Sequence, residues 1–124
     1  MLKITYLESG LYLEQLPEPV EDWLALRMIL TLRMGQRLVV EPSTASLLIP
    51  AALITRSRLA RLAHTTDVTL SPVDDADVEV VLSGVWLASG GNEEGVFVAM
   101  LHPAIEQMLL QLWQEAQLPT SMKR

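Results

Sequence analysis

His64 and His102 are the side chains best suited to proton transfer or metal ligation, because imidazole titrates near neutrality and offers a nitrogen lone pair. Neither belongs to an HxH or HExxH arrangement, and a metal site needs partners at ligand spacing. His102 directly precedes Pro103 and reads as a strand-to-helix junction. Asp74, Asp75 and Asp77 form an acidic run of the kind that gathers oxygens around calcium. The run lacks a twelfth-position glutamate and a central glycine, so it reads as a solvated hairpin turn, and Glu93 with Glu94 reads as a solvated loop. Arg56, Arg58 and Arg61, with His64 nearby, are the one basic cluster. Guanidinium groups suit bidentate carboxylate or phosphate contacts, so these arginines are the anion-binding candidate, with Glu41 or His64 at a pocket mouth. The plainer reading makes them a wet helix face.

Other nucleophiles and loops give less. Ser43, Thr44 and Ser46 lack a G-x-S-x-G elbow, and Gly90-Gly91 lacks the remainder of a phosphate-binding loop. With no cysteine, thiolate catalysis, Cys-based zinc and iron–sulfur ligation are excluded. No metal and no cofactor is expected, and the pattern favours a non-catalytic protein over an enzyme.

The elements that must position these residues follow from length and hydropathy patterning. A chain of 124 residues matches one compact domain, read as residues 1–119 with a frayed tail at 120–124. Fifteen acids against nine bases give a net charge of −6, which disfavours nucleic acid and anionic membranes as partners. Half of the residues are hydrophobic and the mean hydropathy is +0.29, yet no apolar run reaches the ~18–20 residues of a membrane span. Met1 to Tyr6 run directly into strand-like alternation without secretory-signal features, so the cytoplasm is the expected compartment.

Leu2–Glu8 and Leu11–Leu16 read as a hairpin turning at Ser9-Gly10. A helix is expected from Val20 to Met34, opened by Pro19, with Glu21 and Asp22 in its first turn and Gly35 as its stop. Gln36–Glu41 reads as a strand, Pro42-Ser43-Thr44 as a turn and Ala45–Ile49 as a further strand. Ala51–His64 is weak, either loop or a short helix with Leu53, Leu59 and Leu62 on one side. Asp67–Ser71 and Val78–Ala88 are strand-like, with Gly84 marking a bulge or bend. Ser89–Gly95 reads as a flexible loop, and Val96–Leu101 as a central strand buried on both faces. The last helix, Pro103 to Gln117, carries Ile105, Met108, Leu109, Leu112, Trp113 and Ala116 on one stripe, with Glu106, Gln107, Gln111, Gln114 and Glu115 as its wet face.

The first helix differs in kind. Its apolar residues cannot all lie on one face at 3.6 residues per turn. Arg27 and Thr31 share one narrow polar strip, and Asp22 and Arg33 share another, roughly opposite. A helix apolar on several sides needs cover on several sides, from its own chain or from another.

The segments LKITYLESGLYLE, VEDWLALRMILTLRMGQ and LVVEPSTASLLIP, between Leu2 and Pro50, resemble small conserved cyanobacterial proteins of unknown function. That resemblance implies a cytoplasmic location, and it assigns no activity and no functional residue.

The expected fold is α+β: an antiparallel or mixed sheet of about five to seven strands with two main helices on one face, in the order β-β-α-β-β-(α)-β-β-β-α. The expected function is assembly or regulation through a hydrophobic protein–protein interface, as a homodimer using Trp23, Met28, Leu32 and Met34. The alternative is a small anionic-ligand binder or enzyme built on Arg56, Arg58 and Arg61. Neither nucleic acid nor membrane is an expected partner.

Overall fold

A computed structural model describes residues 1–35, 37–89 and 95–117. The chain forms β1 (Leu2–Leu7), β2 (Gly10–Gln15), α1 (Val20–Arg33), β3 (Leu38–Pro50), a 3-10 turn at Ala51–Leu53, α2 (Arg56–Ala63), β4 (Val68–Pro72), β5 (Asp77–Ser89), β6 (Val96–Ala99) and α3 (Pro103–Ala116). All strand pairs are antiparallel. The sheet order is β2-β1-β6-β5-β3, with β4 also paired to β5. The fold is α+β, in the order read from the sequence. The glycine-rich loop at 90–94 and the tail from 118 lie outside the described residues.

The long strand β5 organises the sheet. One of its sides pairs with β3 along its whole length, while the other pairs first with β4 and then with β6. This template explains why the turn expected at Pro42-Ser43-Thr44 does not form. Those residues pair with Val85, Gly84 and Ser83 in unbroken register, and the expected third and fourth strands are one. Proline is tolerated there because β3 is an edge strand, where a missing N–H need cost no ladder bond. At the other edge, Leu7 pairs with Gly10, so the hairpin turns at Glu8-Ser9, and Gly10 opens β2 with φ +135°.

Gly84 is not a bulge, because the β3–β5 register runs through it without a break. Its reason is close approach. A Cβ at Gly84 would run into the Val98 carbonyl oxygen and the Phe97 ring, so glycine lets β6 and its aromatic side chain lie against β5. Gly84→Ala is expected to cost about 2–4 kcal/mol. The check is urea unfolding, with a lower midpoint and an unchanged slope.

Strand alternation sends side chains to two separate cores. Leu2, Ile4, Leu13, Ala45, Leu47, Ile49, Val80, Leu82, Phe97 and Ala99 point to the face covered by α2 and α3, where they meet Leu62, Ile105, Met108, Leu109 and Leu112. The opposite face carries Leu87, Val96 and Val98, which pack with Met1 and Trp23 beneath α1. The two main helices thus lie on opposite faces of the sheet rather than together on one. A strand such as β6, buried at every residue, requires this, because it has apolar side chains on both sides to cover. Over β4 and the adjoining parts of β3 and β5, the α1 side of the sheet exposes Thr44, Ser46, Thr69, Ser71 and Ser83.

Tyr6 closes one corner of the larger core, its ring meeting Trp86 edge-on at a centroid distance of 5.3 Å. Burial raises its phenol pKa above the ordinary value, since desolvation penalises the phenolate. The folded chain therefore holds this proton more tightly than the unfolded chain does. Its contribution is fully present below about pH 10, the unfolded value, and is lost as pH rises through the folded one. Tyr6→Phe is expected to flatten the fall of stability above pH 10, as measured by thermal melts across that range.

Candidate functional site

Among the described residues, the feature that ordinary folding does not account for is the outer surface of α1. The helix begins after Pro19 with Glu21 and Asp22 in its first turn, and Arg33 stands in its last, each charge complementing the helix dipole. It stops where Gly35 takes φ +71° and donates its N–H to the Leu32 carbonyl at 3.0 Å. Val20, Trp23, Leu24 and Thr31 turn inward, and Trp23 is 9% exposed. The Arg27 guanidinium stands 5.2 Å from the centre of the Trp23 ring and the Lys3 ammonium 5.6 Å, within cation–π range. Thr31 satisfies its buried hydroxyl by donating to the Arg27 carbonyl at 2.6 Å.

Thr31 is thus buried against the sheet while Arg27 stays exposed over the Trp23 ring, and the other apolar residues of the helix remain in solvent. Leu26, Met28, Ile29 and Leu30 are about half exposed, Leu32 is 71% and Met34 is 70% exposed. Val40, on the α1 side of β3, is 40% exposed. These side chains leave apolar atoms in water on several sides of α1, with Leu26, Ile29 and Leu32 on its outermost face. Of the four residues read from the sequence as interface, Met28, Leu32 and Met34 stand on this surface. Trp23 is instead a core residue, because its indole is needed to fill the gap between α1 and β6.

Two of the three arginines share a cleft, and the third does not. Arg58 is committed within the chain, reaching Glu115 through two bonds of 3.0 and 3.4 Å and the Leu53 carbonyl at 2.8 Å. Arg58 and Arg61 both line an open cleft of about 320 Å³, with Ser57, Gln107 and Gln111. Arg56 does not line that cleft, since two residues along a helix from Arg58 it faces away. Glu41 is on β3 and does not line that cleft. The helix that carries the arginines starts at Thr55, whose hydroxyl accepts from the Arg58 N–H. Within it Leu62 is buried, whereas Leu59, expected on the same inner side, is 47% exposed.

The remaining chemistry-bearing residues serve local structure. The His102 Nδ1 accepts the Ala104 N–H at 3.1 Å and caps α3, while His64 ends α2. One Asp74 oxygen accepts the Ala76 and Asp77 N–H groups at 2.8 Å each, which is turn geometry. Among the described residues no group of three or more His, Asp or Glu side chains is placed to hold a metal ion.

One functional-looking group escaped the sequence. Glu106, expected on the wet face of the last helix, is 1% exposed. Its Oε1 accepts from the Met1 ammonium and from Gln15 Nε2, both at 3.2 Å, and its Oε2 accepts the Leu101 N–H at 2.9 Å. It lies beside an open cleft of about 410 Å³ walled also by Leu16, Pro17, Met100 and Pro103. Both carboxylate oxygens are engaged from inside, so the carboxylate ties β1, β2 and α3 together. On a helical wheel Glu106 sits at the margin of the apolar stripe, and periodicity alone placed it outside.

No helix among the described residues is long and apolar enough to cross a membrane. No curated protein and no solved structure matches the chain. A family model does match, over residues 1–117, well beyond the segments up to Pro50 that carried the resemblance to small cyanobacterial proteins, and its family is named from an Anabaena gene. The chain belongs to the Alr0857-like family.

Proposed function

We propose that this chain is a non-catalytic assembly or regulatory protein that works as a homodimer, with the outer face of α1 as its contact surface. The observation that carries this reading is the outer side of α1: Val20, Trp23, Leu24 and Thr31 occupy the inner side, while Leu26, Ile29, Leu32 and Met34 remain exposed. Keeping such residues in water forgoes about 1.5–3 kcal/mol for each side chain that another surface would bury. Aromatic residues and Met are enriched in interface cores, and Met28 and Met34 supply adaptable side chains.

The non-catalytic half of the reading rests on where the chemistry-bearing groups go. His102, Asp74, Glu106 and Arg58 each spend their polar atoms on the fold. Light scattering at micromolar concentration tests the reading: a particle of twice the 13.8 kDa chain mass supports it, and a monomer that does not change with concentration refutes it.

A further inference from the structure

We infer that two copies of the chain pair their α1 helices antiparallel about a two-fold axis, with Asp22 of each copy against Arg33 of the other. The inference rests on the homodimer reading above and adds its geometry. Asp22, Ala25, Leu26, Ile29, Leu32 and Arg33 are all exposed, and their spacing of three, four and seven residues sets them along one stripe of the helix. Charge stands only at the ends of this stripe, negative at the first turn and positive at the last. Asp22 and Arg33 are eleven residues apart, roughly 16 Å along the axis. Among the described residues neither makes an ion pair within its own chain.

A two-fold axis must match a surface to itself. Antiparallel packing centred between Arg27 and Met28 brings Asp22 opposite Arg33 and, by the same operation, Leu26 opposite Ile29. Each contact occurs twice. A parallel pair would set Asp22 against Asp22 and Arg33 against Arg33, and would align the two helix dipoles unfavourably. The stripe thus encodes attraction in one orientation and repulsion in the other, the combination that gives specificity.

The test uses the full chain and two single variants, Asp22→Arg and Arg33→Asp, each checked for an unchanged far-ultraviolet dichroism spectrum. In the antiparallel dimer either variant alone puts like charges together at both ends, and dissociation constants at least ~10-fold higher than that of the unsubstituted chain are expected. A mixture of the two variants restores both attractive pairs, so native mass spectrometry should show a dimer holding one copy of each in preference to either homodimer. A dimer in which both variants associate as well as the original chain overturns this orientation while leaving the interface reading intact. So does a mixture that stays as weakly associated as its components. An original chain that is monomeric at every concentration overturns the interface reading itself. Asp22→Asn with Arg33→Gln in one chain is the second variant set: it removes the charges without reversing them, and the orientation requires it to fall between the original chain and the reversals.

Discussion

Glu106→Ala is expected to destabilise the fold by about 3–5 kcal/mol, the range seen when one partner of a buried ion pair is removed. Of its three donors, the Leu101 N–H loses its acceptor outright, whereas the Met1 ammonium keeps the Leu16 carbonyl at 3.0 Å and the Gln15 amide keeps the Pro103 carbonyl at 3.1 Å. The Met1 and Glu106 side chains are 0% and 2% exposed, and the substitution leaves the Met1 ammonium without its counter-charge. Glu106→Gln keeps the size and one acceptor oxygen but loses the charge, and it should fall between the two. Thermal unfolding checks both, with a drop in Tm on the order of 10 °C or more expected for the alanine. The comparison with Arg58→Ala sets the scale. The Arg58–Glu115 pair is 20% and 32% exposed, and a partly solvated pair contributes no more than about 1 kcal/mol.

Ile29→Asp is the second large expectation: it weakens assembly while leaving the monomer folded. Ile29 is 50% exposed and lies near the middle of the α1 stripe. A carboxylate there would be desolvated at the centre of a dimer, and the dissociation constant should rise at least ~100-fold. The isolated monomer should fold as before, because no core residue is touched. Its solubility should increase as an apolar side chain is withdrawn from water. Trp23→Ala provides the contrast within the same helix. It empties a filled space beneath α1, so it should cost about 3–5 kcal/mol through loss of fold.

How much of this was legible in the sequence depends on how many neighbours each residue needed. The last helix and the central strand β6 were readable because a single periodicity decides them: four of the stripe residues of α3 are buried, and all of β6 is. Pro42 misled because proline ends strands unless the strand is an edge, and whether β3 is an edge depends on β5, about forty residues away in sequence. Gly84 misled for a related reason, since only the Phe97 ring across the sheet distinguishes close approach from a bulge. Glu106 was invisible because its partners come from the start of the chain and from β2. The placement of the helices on two faces followed from β6 being apolar on both sides, a fact present in the sequence whose consequence was not drawn there.

The candidate site was legible in part. The many-sided apolar character of α1 is a property of its sequence, and it points to a second surface whatever the fold. Which side is inner is a tertiary fact. Trp23 and Thr31 lie inward, the indole packing with Val98 and Leu87 and carrying the Arg27 and Lys3 cations at its ring. That choice turns Leu26, Ile29 and Leu32 outward. The arginine cluster shows the converse, because the pitch of α2 turns Arg56 away from Arg58 and Arg61, and Glu115 engages Arg58.

Sedimentation equilibrium on the original chain and on Ile29→Asp, run side by side from about one to one hundred micromolar, tests the central claim most directly. The account predicts a dimer for the original chain and a folded monomer for the variant. A monomeric original chain, or a variant that remains dimeric with the same affinity, would contradict it.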